Sequence, residues 1–183
     1  FTQEMRYDDK KGKFHTNTKV KAINKEEKIE MEADNFEANK DFTVITLTKN
    51  VKIISEQMNL TCNRAIYNRN SKYIKVMENV KFLGKDLRTE KGNIKKVSAV
   101  FEQGIYNMNM GQFTSYGRFT IYYQGYLLKG DNLIYFNDTG DVNIYGNVEI
   151  MQNDMVTKLS KIYYNRRNQL ITLNGPIAGK KGD

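Results

Sequence analysis

The sequence predicts an all-β fold, and three observations lead to that prediction. Apolar and polar residues alternate, as in Ile45 to Leu47 and Val51 to Ile53, which is typical of strands with one buried face. The chain contains twelve Tyr, nine Phe and one Pro, a composition that favours strands. The same alternating segment also returns at a fixed interval. The best helix candidate, at 24–33, alternates as well, so we predict no helix.

The interval is 29 residues. Shifting the sequence by 97 residues aligns 34–80 with 131–177 without a gap, and many of the aligned residues are identical. Within this long repeat, Val51 to Val80, Phe119 to Val148 and Val148 to Ile177 are each separated by 29 residues. Val80 and Phe119 are 39 apart, which indicates a ten-residue insertion within the polar, basic stretch at 84–96. We therefore interpret 1–183 as a single domain of five units, at about 22–51, 52–80, 81–119 with the insert, 120–148 and 149–177.

The repeat aligns four rows of residues and one row of turn-forming pairs. The four rows are Ile45, Ile74, Phe113, Val142 and Ile171; then Leu47, Val76, Ser115, Ile144 and Leu173; then Val51, Val80, Phe119, Val148 and Ile177; and the tyrosines Tyr67, Tyr106, Tyr135 and Tyr164. The pairs lie at 49–50, 78–79, 117–118, 146–147 and 175–176. We expect about four short strands in each unit, and stacked units that bury a continuous core with the Val51 row inward. The period alone leaves open a closed parallel β-helix or an open antiparallel jellyroll.

Charge and cysteine content restrict the partners and the compartment only partly. Lys and Arg outnumber Asp and Glu by 29 to 21, giving a net charge of +8, which favours anionic partners. Cys62 is the only cysteine, so no disulfide can form within the chain. The apolar runs are far shorter than the ~18 residues of a membrane helix, and the chain does not begin with a signal peptide. We expect any targeting or anchoring segment to lie outside this chain.

The residue types argue against catalysis and against a metal or cofactor. His15 is the only histidine, and no Ser/His/Asp or Cys/His set stands in a recognisable pattern. The densest carboxylate group is Asp131, Asp138 and Asp141, but Asp131 and Asp138 have repeat equivalents, which indicates a role in turns and strand corners. We therefore predict that the protein is not an enzyme.

Nucleic-acid binding is an alternative that the charge alone would favour. Basic residues cluster at 10–28 and 81–96, and tyrosines can stack on bases. The tyrosines nevertheless recur with the repeat beside aliphatic residues, which predicts an internal ladder. A β-solenoid module that binds or acts on carbohydrate is a further alternative.

The segment 127–150 resembles the repeat of the OstA-like lipopolysaccharide-transport family, which includes LptA-like and LptC-like proteins. The matching residues are Gly130, Asp131, Leu133, Tyr135, Val142, Ile144, Gly146, Asn147 and Val148, and again Ala33, Asp34, Phe36, Ala38, Ile45, Leu47, Asn50 and Val51. The resemblance covers roughly 28–177. It departs from the family pattern where Gly-Asn is replaced by Lys-Asn, Glu-Asn or Gly-Pro, and in the third unit, which carries the insert.

The resemblance implies an open, V-shaped β-jellyroll of antiparallel strands that carries lipopolysaccharide or a related lipid across the periplasm. The expected lipid-binding residues are Ile45, Leu47, Ile74, Val76, Phe113, Val142, Ile144 and Ile171. The expected phosphate-binding residues are Lys85, Arg88, Lys91, Lys95 and Lys96. The implied partners are related transport proteins joined through strand edges, with head-to-tail self-association. The protein would be periplasmic, either soluble or the periplasmic part of a protein anchored in the inner membrane.

Overall fold

Antiparallel β-strands make up the regular structure of this computed structural model, which describes residues 5–26, 28–55, 58–84, 87–88, 94–95, 98–123, 125–136, 138–175 and 178–181. The strands are β1 (Arg6–Asp8), β2 (Lys13–Thr16), β3 (Val20–Asn24), β4 (Ile29–Ala33), β5 (Asn35–Asn39), β6 (Val44–Ile54), β7 (Met58–Asn68), β8 (Tyr73–Gly84), β9 (Leu87–Arg88), β10 (Ile94–Lys95), β11 (Ser98–Asn107), β12 (Gln112–Tyr123), β13 (Tyr126–Phe136), β14 (Val142–Gln152), β15 (Met155–Asn165), β16 (Leu170–Asn174) and β17 (Ala178–Lys181). No helix long and apolar enough to cross a membrane occurs among the described residues.

Fifteen of these strands form one sheet, and all described pairs are antiparallel. From β5 to β16 the strands pair in chain order, except that β8 pairs directly with β11. The short strands β9 and β10 pair only with each other and lie within the predicted insertion. The all-β prediction is thus confirmed, and the parallel β-helix is excluded because every described pair is antiparallel.

Each long strand bends near its middle. The strands β6, β7, β8 and β11 to β15 are 10 to 12 residues long, and each pairing shifts register at one point, for example between Thr48 and Val51 and between Tyr145 and Val148. Such shifts mark β-bulges, which bend a strand. Positive φ angles occur at the bends of β6, β8, β12 and β14, for example at Lys49 (64°), Asn50 (50°) and Gly146 (79°). We call this line of bends the corner.

The corner corrects one expectation from the sequence. We predicted that each turn-forming pair separates two short strands, but the chain continues through the pair as one bent strand. The reason is that Lys49 and Asn50, like Glu78 and Asn79, adopt the left-handed conformation within a bulge. The pairing with the neighbouring strand resumes on both sides of the bend.

The bends divide the sheet into two layers. The first layer holds β1, β2, β5, β16 and the segments 44–48, 64–68, 73–77, 103–107, 112–116, 132–136, 142–145 and 161–165. The second layer holds β3, β4, β17 and the segments 51–54, 58–62, 80–84, 98–101, 119–123, 126–130, 148–152 and 155–159. The rings of Phe101 in the second layer and Phe113 in the first are 5.1 Å apart, so the layers face each other.

The core begins at the corner, where the Val51 row points inward. Val51 and Val80 are 0% exposed and Phe119 and Val148 are almost as deeply buried, whereas Ile177 lies outside the described residues. The two phenylalanines in the apolar rows are accommodated by glycines. A Cβ on Gly104 would lie 2.5 Å from Phe113 Cζ, and one on Gly130 would lie 2.8 Å from Phe119 Cζ. The larger rings therefore fit without separating the layers.

Asn147→Ala should lower the free energy of unfolding by about 1–2 kcal/mol. The Asn147 amide donates a 2.6 Å hydrogen bond to Asp131 Oδ2, and φ is 45°, a conformation that Asn tolerates better than Ala. Chemical denaturation measures the change. Asn143→Ala is the control, because Asn143 lies in the same strand away from the corner. Equal destabilisation by the two substitutions would contradict a special role of the corner amide.

Candidate functional site

One transverse ladder of side chains lines the inner face of the first layer. The strand register interleaves the Ile45 row with the tyrosine row, so that each aliphatic or phenylalanine residue has a tyrosine opposite it on the next strand. The order is Ile45, Tyr67, Ile74, Tyr106, Phe113, Tyr135, Val142, Tyr164 and Ile171. We call this the inner ladder. The prediction that these tyrosines form an internal ladder is thereby confirmed.

The structure brings all eight sequence-predicted apolar residues onto this inner face, but their exposure differs. Five of them are buried, and Ile45 and Val142 are half-buried against the core. Ile171 is 59% exposed, although it holds the same repeat position as Ile74, which is 2% exposed. The five buried residues are Leu47, Ile74, Val76, Phe113 and Ile144. The inner face is therefore closed in the middle of the sheet and uncovered at β16.

The second layer supplies inner-face residues that our sequence-based set omitted. Ile53 and Leu60 face Ile74, Val76 and Phe113 around a cavity of only about 10 Å³. Other second-layer residues pack against the same core, namely Phe82, Ile121, Leu128 and Ile150. The alternation of Val51 with Ile53 and of Val148 with Ile150 was the signal for them, but the repeat alone does not show which rows face each other.

The two ends of the interior differ. Near the N-terminal end, the Asn24 amide of β3 donates a 3.2 Å hydrogen bond to the Tyr67 hydroxyl, which ties the second layer to the first. At the C-terminal end, the inward positions Ile171 and Leu173 of β16 are 59% and 42% exposed. Apolar surface is therefore available at the end formed by β16.

Two polar groups lie within the apolar rows, and each has a partner. Ser115 is 1% exposed, and its Oγ accepts a 3.1 Å hydrogen bond from the Leu133 N–H. The Cys62 thiol is buried and donates to the Arg64 carbonyl at 3.3 Å. Burial raises the pKa of Cys62 to about 11. Neither group disturbs the apolar character of the interior.

Two of the carboxylates that we considered for catalysis, Asp131 and Asp141, accept hydrogen bonds at a strand corner and at a turn. Asp131 and its repeat equivalent Asp34 each accept a 2.6 Å hydrogen bond from a corner asparagine, Asn147 and Asn50. Asp141 accepts from the backbone N–H that follows β15. The interpretation of Asp131 as a strand-corner residue is confirmed, and Asp138 lies in the turn between β13 and β14. Within the described ranges, no three His, Cys, Asp or Glu side chains are grouped to hold a metal ion.

The basic insert is only partly described. Arg88 lies in β9 and Lys95 in β10, and Ile94 of β10 is paired with Arg88. Lys85, Lys91 and Lys96 lie outside the described residues. Phosphate binding by these five residues stays a prediction.

A larger concave region lies elsewhere and is lined mainly by polar residues. It has a volume of about 990 Å³ and is lined by residues that include His15, Lys13, Glu37 and Arg64. Lys13 and Glu37 form an ion pair there at 2.5 Å. These residues alternate along their strands with the inward-facing ones, so this region belongs to the outer side of the first layer.

Antiparallel strands bent into two layers around an apolar interior define an open β-jellyroll protein. A model of the family described as "LptA/(LptD N-terminal domain) LPS transport protein" matches residues 28–170, and the chain belongs to that family. This result confirms the resemblance to the OstA-like lipopolysaccharide-transport proteins.

A solved structure has the same fold. It is that of LptH from Pseudomonas aeruginosa, described as the LptA homologous periplasmic component of the conserved lipopolysaccharide transport device. The superposition has a TM-score of 0.59 and covers 71% of this chain and 98% of LptH, with 13% sequence identity. At this identity the similarity concerns the fold. No curated protein sequence matches the chain significantly.

Cys62 should resist alkylation in the folded protein. Because its pKa is raised to about 11, the reactive thiolate stays a minor species until the pH approaches that value, and the burial of Cys62 also excludes the reagent. Iodoacetamide at pH 8 followed by mass spectrometry measures the rate. The same protein in guanidinium chloride should react rapidly. Rapid modification of the native protein would contradict the buried position of Cys62.

Proposed function

We propose that the chain binds acyl chains of lipopolysaccharide, or of a related lipid, between its two layers and passes the lipid on without catalysing a reaction. Membership of a lipopolysaccharide-transport family supports the transport role. The single observation that carries the proposal is the inner ladder, which lines the interior with aliphatic side chains and aromatic rings and is exposed at Ile171.

Moving an acyl chain from water onto the apolar surface of the interior is energetically favourable. Covering apolar surface with an acyl chain contributes roughly 0.8 kcal/mol for each buried CH₂ group. Ile171 and Leu173 offer uncovered apolar surface at the β16 end, whereas the middle of the interior is packed around Phe113. We infer that a lipid first enters at the β16 end and that deeper binding requires the layers to separate near Phe113.

The proposal includes a periplasmic location and partners of the same family. LptH is a periplasmic component of the transport device. In this chain, β16 and β17 lie at one end of the sheet order, and β1 and β3 lie at the other. Terminal strands can pair with a strand from another chain. We therefore propose head-to-tail association with a second copy or with a related jellyroll.

A photocrosslinking amino acid at Val142 or Ile171 should crosslink to lipopolysaccharide, because both positions belong to the inner ladder in its less buried part. Asn143 and Thr172, the neighbouring positions that face outward, provide matched controls. Crosslinked lipid is detected by immunoblotting after ultraviolet exposure.

Position Ile74 gives a second comparison within the same experiment. Because Ile74 is 2% exposed, its crosslinking should be weaker than that of Ile171 at short exposure to lipid. Crosslinks that are as strong at Asn143 and Thr172 as at Val142 and Ile171 would contradict binding in the interior. The absence of crosslinks at all inner positions would remove the basis of the transport proposal for this chain.

Head-to-tail association should join β1 of one copy to β16 of another. A mixture of Tyr7→Cys and Thr172→Cys proteins, treated with a short bismaleimide, should yield mixed dimers in excess over dimers of either variant alone. Tyr7 lies on β1 and Thr172 on β16, and the buried Cys62 should not react. Mass spectrometry identifies the linked pairs. Equal amounts of mixed and like dimers, or a strictly monomeric protein in light scattering, would argue against this mode of assembly.

A further inference from the structure

Arg166 lies just beyond the end of β15, at the edge of the interior. In β15, Ile162 and Tyr164 occupy inward register positions opposite Leu173 and Ile171. Arg166 is the first residue of the turn that follows β15, two residues after Tyr164. The inner ladder at this end runs through Tyr135, Val142, Tyr164 and Ile171, the part where burial decreases. Arg166 is thus at the more open end of the apolar interior.

The contacts of Arg166 place its side chain against the turn that follows β13. Gly140 has a φ of 71°, and a Cβ there would collide with Arg166 Cδ and lie 3.0 Å from Nη1. The Gly140 N–H donates to the Phe136 carbonyl at 2.7 Å, so this turn begins directly after Tyr135. The guanidinium group therefore packs over a glycine beside the end of the inner ladder.

The backbone of Arg166 is also held in place. Its N–H donates a 3.0 Å hydrogen bond to Asp141 Oδ1, and the Tyr163 hydroxyl lies 3.3 Å from Asp141 Oδ2. The Asn165 amide donates to the same Tyr163 hydroxyl at 3.1 Å. The position of Arg166 is therefore determined by neighbouring side chains as well as by the turn itself.

The positive charge of Arg166 influences the ionisation of the Tyr135 hydroxyl. Burial raises the pKa of Tyr135, and the positive charge of Arg166 acts in the opposite direction. Among the described residues, Arg166 forms no ion pair with a carboxylate. The guanidinium group packs on the turn that begins directly after Tyr135, so two hydrogen-bond donors, a guanidinium group and a phenol hydroxyl, belong to the same end of the apolar interior.

We propose that Arg166 and Tyr135 bind the phosphate group of an amphiphile whose acyl chain lies between the layers. This inference rests on the proposed function, and it assigns the headgroup to a site other than the basic insert. A guanidinium group binds phosphate through two parallel hydrogen bonds, and a phenol hydroxyl adds a third donor. Because Arg166 is exposed, the pair binds a free anion weakly in salt, and the acyl chain supplies the remaining affinity.

The internal repeat contains a natural comparison. Arg69 is the equivalent of Arg166, 97 residues earlier, but Ala38 stands in the place of Tyr135 and Thr43 in that of Gly140. The earlier copy therefore lacks the phenol hydroxyl that Tyr135 supplies and the glycine against which Arg166 packs. Tyr67, the adjacent member of the inner ladder there, is engaged by Asn24. Arg69 is accordingly not expected to bind phosphate, although it belongs to the same repeat position.

The test compares two amphiphiles with the same chain. Dodecyl phosphate and dodecyl maltoside, both below their critical micelle concentrations, are titrated into the wild-type protein and its variants, and Kd is measured by calorimetry. Arg166→Gln should weaken binding of dodecyl phosphate by about 5- to 10-fold and leave dodecyl maltoside unchanged, since a hydrogen bond to a charged group is lost. Tyr135→Phe should have a smaller effect in the same direction, and Arg166→Lys should restore part of the affinity.

Arg167→Gln and Arg69→Gln are the matched controls, and neither should change the preference for phosphate. Thermal melting verifies that each variant is folded. The inference alone is overturned if both amphiphiles bind and Arg166→Gln weakens both equally or neither. It is also overturned if inorganic phosphate binds as tightly as dodecyl phosphate, because the site would then hold a free anion. If neither amphiphile binds to the wild-type protein, the proposed function fails together with the inference.

Discussion

The rest of the structure depends on the bend that each long strand makes at the corner. Lys49, Asn50, Gly146 and Asn147 adopt positive φ angles there, and the antiparallel pairing resumes on both sides. The bulges lie in every second strand of the sheet order, in β6, β8, β12 and β14, and a single sheet thereby supplies both layers and their facing apolar rows. Asparagine and glycine tolerate this conformation better than other residues, and the hydrogen bond from Asn147 to Asp131 holds the bend.

The corner also determines where an apolar interior can exist. Beside the bend the layers are closest, and Val51 and Val148 fill the space completely. Farther from it the inner ladder alternates aliphatic residues with tyrosines, whose phenol groups combine apolar rings with a polar end. Ile171 is exposed on β16, and within the described part of the chain no strand of the first layer follows β16 in the sheet order. The open end of the interior therefore follows from the end of the stack.

Volume changes within one row are balanced by neighbouring strands. Phe113 occupies the repeat position that Ile74 and Val142 hold elsewhere, and its larger ring lies against Gly104, where a Cβ would be 2.5 Å from the ring. Such compensation makes room for the larger ring, because closely packed interiors do not tolerate extra volume. The unit that carries the insert has an irregular sequence, but its strands still pair without a gap, because β8 pairs with β11 and β11 with β12.

The sequence by itself determined the all-β class, the repeat and the inward rows, because alternation and a fixed period depend only on the order of residues. Tertiary structure decided the remainder. The pair Lys49–Asn50 has the same local preference for positive φ in a turn and in a bulge, and only pairing with β7 distinguishes them. Ile74 and Ile171 are identical residues at equivalent positions, and the presence or absence of a covering strand sets their exposure. Which rows of the second layer face the first, and which arginine packs on the turn after β13, likewise depend on contacts between segments distant in sequence.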